Sequence, residues 1–339
     1  MERPLVAVTM GDPAGIGPEI VLLALARPEV GAAVRALVVG DAGRLEEAAD
    51  VLLRASRLPS APRIRAVADP AEARFKPGTV EVVAPAREAA ADVRGLPWGQ
   101  LDARSGRAAF AYVRTAAELA VAGKVDAIST APINKEAWRL AGIPYPGHTD
   151  ALAHLAGVGR VAMMLANGRL RVVHVTTHVG LAEAIRQLSQ ERVLATIELA
   201  DEALRRLLGR RPHLALAALN PHAGEGGLFG EEETRILRPA VAEARGRGLD
   251  VDGPLPADTV FARAAEGQFD AAIALYHDQG HIAVKMLGLD TGVNVTLGLP
   301  FLRTSVDHGT AYDIAGRGVA REASMVAALE AVRDLLPGQ

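Results

Sequence analysis

The run Ala271-Ala272-Ile273-Ala274-Leu275 passes directly into Tyr276-His277-Asp278-Gln279-Gly280-His281. An apolar stretch of this length reads as a strand buried on both faces, and the polar residues after it as the loop at its carboxyl end. The form recurs along the chain. Arg171–Val175 runs into Thr176-Thr177-His178, Leu214–Leu219 into Asn220-Pro221-His222, and Val125–Ser129 leads to Asn134-Lys135. Strands are also expected at 5–9 and 36–39, and helices over about 18–26, 107–122, 190–208, 231–247 and 321–336. Asp41 is placed to cap the helix after the second strand. Strands alternating with helices predict an α/β protein with parallel sheets covered on both faces. The proline-rich stretch 56–104 is less regular, and a small antiparallel element is the expectation there. In open α/β sheets ligands bind beyond the carboxyl ends of the strands, so the polar clusters should converge on one crevice.

Composition narrows the function. The 339 residues are enough for two domains. Half are hydrophobic and 4% aromatic, so the core must be built from Ala, Val, Leu and Ile. The 37 basic and 40 acidic residues nearly balance, without the basic excess of a nucleic-acid surface. The absence of cysteine excludes disulfides, thiolate zinc sites, iron–sulfur clusters and cysteine nucleophiles. No signal peptide and no apolar run of about 18 residues is seen, so a cytoplasmic protein without a membrane span is expected.

Of nine histidines, His178, His222 and His277 each follow an apolar strand. Three neutral imidazoles leave a divalent ion its full charge and an open position, as catalysis needs. The alternative is three unrelated loop histidines. His174, within a strand, and His213, at a strand start, read as structural. Asp278 is placed either to orient a ligand imidazole or to cap a turn. Met10-Gly11-Asp12-Pro13-Ala14-Gly15-Ile16-Gly17-Pro18 lies between a strand and a helix, which makes Gly11, Asp12 and Gly15 candidates for cofactor contact. It lacks both the P-loop Lys and the G-x-G-x-x-G spacing, so a tight structural turn is an equal alternative. Gly147-His148-Thr149-Asp150 opens a helix, either as an anion site or with Thr149 as an ordinary cap. Lys285 and Arg303 suit a phosphate and a carboxylate. Asn294, in an apolar run, needs a polar partner. Asp258 is either a cap or a site carboxylate. Lys135 is a further site candidate.

Taken together the motifs resemble the 4-hydroxythreonine-4-phosphate dehydrogenase family of vitamin B6 biosynthesis. The matching stretches are Met10–Ile20, Gly147–Thr149, His174–His178, Leu219–Gly227, Pro256–Thr259, Tyr276–Gly280 and Gly292–Thr310. The resemblance implies two α/β/α domains with a central cleft, like isocitrate and isopropylmalate dehydrogenases and unlike a Rossmann fold. It places a discontinuous first domain at 1–130 plus 305–339 and a second at 131–304, the latter carrying the metal site and a homodimer interface. It implies metal ligands His178, His222 and His277, the last from the partner subunit, and substrate contacts at His148, Thr149, Lys285, Asn294 and Arg303. Lys285, Asp258 and Lys135 are the candidate catalytic groups. The implied reaction is NAD-dependent (or NADP-dependent) oxidation of 4-phosphohydroxy-L-threonine at C3, then decarboxylation to 3-amino-2-oxopropyl phosphate. Zinc is the first candidate metal, with Mg, Co or Mn as others. After Asp278-Gln279-Gly280, family members of the B6 branch tend to carry an apolar residue where this chain has His281. The run 280–288 looks more similar to a sister branch that oxidises 4-phospho-D-threonate or 4-phospho-D-erythronate. A non-redox phosphate-binding or acyltransferase-like protein is the alternative of another class.

Overall fold

The computed structural model describes residues 3–86, 92–288 and 291–336. Its strands are β1 (Leu5–Thr9), β2 (Arg35–Val39), β3 (Arg63–Val67), β4 (Thr79–Val83), β5 (Ala127–Thr130), β6 (Ala162–Asn167), β7 (Leu170–His174), β8 (Leu214–Ala217), β9 (Val251–Leu255), β10 (Ala271–Ala274), β11 (Val293–Leu297) and β12 (Leu302–Ser305). The helices are α1 (Gly17–Leu25), α2 (Pro28–Ala33), α3 (Ala42–Arg54), α4 (Ala103–Val121), α5 (Lys135–Leu140), α6 (His148–Leu155), α7 (Leu181–Arg186), α8 (Gln190–Leu208), α9 (Arg238–Gly246), α10 (Ala257–Ala265), α11 (His277–Met286) and α12 (Ala323–Leu335).

The chain divides into two compact units, Met1–Gly159 with Leu299–Gln339, and Arg160–Gly298. The boundaries differ from those expected at 130/131 and 304/305. Helices α5 and α6 pack on α4, and β12 pairs in parallel with β5. Residues 131–159 and 299–304 therefore go with the first unit.

In the first unit the strand order is β3-β4-β2-β1-β5-β12, and every pairing is parallel. The sequence Leu-Val-Ala-Val-Thr of β1 shows why: it is apolar on successive residues and almost wholly buried, as a parallel strand covered on both faces must be. The antiparallel element expected within 56–104 is not there. β3 and β4 run parallel to each other, because a 3-10 turn at Pro70–Glu72 and a left-handed Gly78 bring the chain round before β4. Glu81 on β4 is buried and takes a 2.7 Å bond from Arg65 of the neighbouring strand. Asp41 caps α3 as expected, its carboxylate accepting from the backbone N–H of Arg44 at 2.7 Å.

In the second unit the order is β11-β6-β7-β10-β8-β9. The pairs β11·β6 and β6·β7 are antiparallel; β7·β10, β10·β8 and β8·β9 are parallel. Helix α8 coincides with its expected span and ends on left-handed Gly209, the usual glycine stop. The helix expected over 231–247 is interrupted. Glu233–Leu237 forms a π turn before α9. Pro239 lacks the N–H that would close the ordinary bond to Arg235, so the backbone widens there. No described helix is long and apolar enough to cross a membrane.

Candidate active site

Strand order brings the exits of distant histidine loops side by side. β10 lies between β7 and β8, so the loops carrying His178, His277 and His222 leave adjacent strands, about 5 Å apart. Two side chains tie these exits together. Thr176 donates its hydroxyl to the Leu275 carbonyl at 2.8 Å, joining β7 to β10. Gln279 accepts from the Leu275 N–H at 2.7 Å and donates to the Ala218 carbonyl at 2.8 Å, joining β10 to β8.

Within this frame the His178 and His277 rings lie 5.9 Å apart, centre to centre. Asp278 meets Nδ1 of His277 at 2.6 Å, which suits the orienting role expected of it and leaves Nε2 as the outward donor atom. His277 stacks on His281 at 3.6 Å, with the rings 13° from parallel. His281 is buried, and its Nδ1 lies 3.1 Å from both His174 Nε2 and the His277 carbonyl. His174 is buried too, as expected of a strand histidine, and desolvation followed by the charge of His281 pulls its pKa down to about 3. Two adjacent imidazoles, one braced by a carboxylate, have the donor chemistry for a divalent ion. His222 stands apart, exposed and with its ring beside Phe229. Among the described residues no group of three metal-capable side chains forms.

The loop of His222 is left-handed over five residues. His222, Ala223 and Glu225 have φ of 52°, 54° and 42°, between and beside glycines. Each of these non-glycine residues costs about 1–2 kcal/mol in that conformation. Glu233 supplies the restraint. Its carboxylate accepts from the N–H groups of Leu219 and Asn220 at 2.8 and 2.7 Å and from the Asn220 amide at 2.9 Å. Burial alone would raise its pKa, but these donors, Asn220 first, hold it below the ordinary value. Sequence reasoning missed Glu233. The only available signal was the glycine-rich run after Asn220, which demanded an anchor.

The first unit holds a different cluster. Arg303 on β12 is 3% exposed and donates to the Thr130 hydroxyl of β5 at 2.7 Å. Desolvation pulls its pKa down to about 9. His148 opens α6, its ring edge-on to buried Trp138 at 5.8 Å. Its Nε2 is buried and has no hydrogen-bond partner. Desolvation, then the charges of Arg303 and Lys135, push its pKa well below the ordinary 6.5, so the ring is neutral. Lys135 begins α5 behind Asn134, whose side chain caps that helix through the N–H groups of Glu136 and Ala137. The Lys135 Cε lies near Gly147, where a Cβ would sit 3.6 Å from it. Two cations beside a neutral, unpartnered imidazole form a place for an anion. Thr149 lies next to His148 in the first turn, but the cap position belongs to Gly147, without a side-chain bond.

The remaining candidates lie as follows. Asp258 is exposed in the first turn of α10, whose cap position is Pro256. Lys285 is half-buried near the end of α11, and Asn294 half-buried on β11 opposite Leu165. Gly11, Asp12 and Gly15 are buried. Gly11 is left-handed, and a Cβ there would lie 2.5 Å from the Pro132 carbonyl oxygen; at Gly15 it would lie 2.8 Å from Thr310. These glycines admit the chain's own segments, which supports the tight-turn reading over cofactor contact.

Comparison with known proteins identifies the family. The model of the family "Pyridoxal phosphate biosynthetic protein PdxA" matches residues 32–332. A D-threonate 4-phosphate dehydrogenase of Cupriavidus necator is 50% identical over 98% of this chain and 97% of its own. A 4-hydroxythreonine-4-phosphate dehydrogenase of Desulforapulum autotrophicum is 46% identical over 97% of this chain and 94% of its own. The crystal structure of a 4-hydroxythreonine-4-phosphate dehydrogenase from Klebsiella pneumoniae superposes with a TM-score of 0.91 at 47% identity, covering 98% of both chains. With matches of this extent, the chain belongs to the PdxA family.

Proposed function

We propose that this protein is a dehydrogenase of C4-phosphorylated 3-hydroxy acids, with D-threonate 4-phosphate as its first substrate. The observation that carries the reading is the unpartnered Nε2 of His148 beside the charges of Arg303 and Lys135. A phosphate dianion would meet two cations and a ring nitrogen there, and the interaction is strong because the surroundings are largely dry. The names of the relatives supply the chemistry: several above 45% identity are D-threonate 4-phosphate dehydrogenases.

In the reaction, the C3 hydroxyl loses its proton and C3 loses hydride, giving a ketone beta to the carboxylate. Loss of CO2 from such an acid is easy and leaves a phosphorylated ketone. His148, Lys135 and Arg303 bind and orient the phosphate, with the Thr149 hydroxyl beside them. Lys285 and Asp258 are the candidate proton carriers, and Asn294 a further polar contact. His178, His222 and His277 would hold a divalent metal, zinc in first place, with the set completed in a homodimer. Such an ion would supply Lewis acidity that favours ionisation of the substrate hydroxyl. NAD or NADP is the proposed hydride acceptor, and Gly11, Asp12 and Gly15 are not proposed to hold it.

The relative named 4-hydroxythreonine-4-phosphate dehydrogenase supports a second reading, with 4-phosphohydroxythreonine as substrate. The test is reduction of NAD and NADP by the purified protein with each phosphorylated acid, with and without chelator. A higher kcat/KM for D-threonate 4-phosphate is expected. A preference for 4-phosphohydroxythreonine would select the second reading, and no turnover with either would overturn both.

A further inference from the structure

The glycine-rich loop ends up far from the role its composition suggested, yet it is bonded to the anion cluster through an unbroken path. Asp12 is wholly buried. Its carboxylate accepts from the Ala14 N–H at 2.8 Å and from the Tyr312 hydroxyl at 2.7 Å, with the Ser105 hydroxyl 3.4 Å away. The Tyr312 hydroxyl also engages the Asn134 side chain. Asn134 in turn caps the helix that Lys135 begins. The backbone reinforces the path, since the Asp12 N–H donates to the Pro132 carbonyl at 2.9 Å, two residues before Asn134. On the other side, the Ile16 N–H donates to Thr310 at 3.0 Å, two residues before Tyr312. Three segments distant in sequence are thus laced around one carboxylate.

We propose that Asp12 and Tyr312 are positioning residues for the anion site, the buried carboxylate fixing the Tyr312 hydroxyl and that hydroxyl fixing Asn134, so that Lys135 stays beside His148. Burying a carboxylate is unfavourable, and the bonds it receives offset that cost only while all are made. Arg44 is buried nearby, where it stacks on Trp98 and pairs with Glu47 at 2.6 Å, and its charge favours the ionised Asp12 carboxylate. The lacing through Tyr312 ends at Asn134, the cap of the helix that begins with Lys135 of the anion cluster. This inference rests on the phosphate reading above.

A double-mutant cycle tests it, with inorganic phosphate as the probe and calorimetric titration as the readout. Tyr312→Phe removes only the hydroxyl. In the wild-type background it should weaken phosphate binding about tenfold, the size expected for one lost bond to a charged system. In a Lys135→Met background the same change should weaken it less than about twofold, because the group it positions is gone. Asp12→Asn, which keeps the shape of the side chain, repeats the cycle and serves if Tyr312→Phe does not fold. Equal weakening in both backgrounds, or none in either, would overturn the positioning role. Phosphate binding that is absent in the wild-type protein, or unchanged by Lys135→Met alone, would instead overturn the anion site and this inference with it. Steady-state kinetics give an independent readout: KM for the phosphorylated acid should rise in Tyr312→Phe while kcat changes less than about threefold.

Discussion

In the first unit the candidate residues converge as charges around a neutral ring; in the second they converge as rings against rings. Burial first, and then the charges of Arg303 and Lys135, suppress the protonation of His148. His178, His277 and His281 lie ring against ring, with a carboxylate at one edge. The first arrangement has the charge and desolvation that suit an anion. The second has the lone pairs that a cation would take. The same device, a parallel strand ending in a polar loop, serves both, so the fold sets only where the groups stand and the side chains set which sign of ligand they take. The two also differ in how they are held. The anion cluster hangs on regular elements: a strand, a helix start and a cap. The His222 loop is held in a left-handed path by one buried carboxylate.

The contrast can be broken from either side. His222→Ala should give the largest effect, with loss of bound metal by elemental analysis and of turnover to near background while circular dichroism stays native. Retained metal would remove His222 from the set. Arg303→Met should follow. Losing the buried cation costs about 3 kcal/mol of substrate binding, or roughly a hundredfold in kcat/KM, with metal content unchanged. A drop in metal content would show that the two clusters do not act separately. Glu233→Gln should be smaller. It leaves Leu219, Asn220 and a strained loop short of an acceptor, costing about 1–3 kcal/mol of stability and weakening metal affinity about tenfold.

Acid sensitivity should give the smallest effect. The folded pKa of His148 lies below its ordinary value of 6.5. As pH falls below that value, the unfolded chain takes up a proton that the folded chain does not, so stability is lost from that point downward. The midpoint of thermal unfolding should therefore fall less between pH 7 and pH 5 in His148→Gln than in the wild-type protein. Bound phosphate should shrink the difference by favouring the charged ring. An identical fall in both proteins would mean that His148 is not held neutral.

Much of this site was legible before any fold was known. Each apolar run that passes abruptly into His, Asn or Lys marks a strand and its carboxyl end, so the loops of His178, His277 and His222 could be placed at strand ends from pattern alone. His148 and Arg303 carried the chemistry of an anion site in their residue types. One alternative lost ground, one reading failed and one residue gave no signal, each for an identifiable reason. The glycines at 11 and 15 were candidates for ligand contact because a missing side chain invites any close neighbour, and here the neighbours are Pro132 and Thr310. The π turn at Glu233–Leu237 depends on a single absent N–H at Pro239 within an otherwise helical pattern. Tyr312 gave no signal, since a tyrosine in a loop says nothing about the carboxylate it will meet.

What the order of residues determined by itself is the type of each element and the side chains at its end, because burial on both faces and helical periodicity are local properties of the chain. What only the tertiary structure decided is adjacency. β10 entered between β7 and β8, which puts the loops of His178, His277 and His222 on adjacent strands; the left-handed path after Asn220 then leaves His222 exposed while His277 meets His178. Thr130 met Arg303 across 173 residues, and Asp12 met Tyr312 across 300. Such pairs are chosen by which strands can share a sheet and which buried polar groups must find partners. Both are set by the packing of the whole unit, and no stretch of sequence carries them alone.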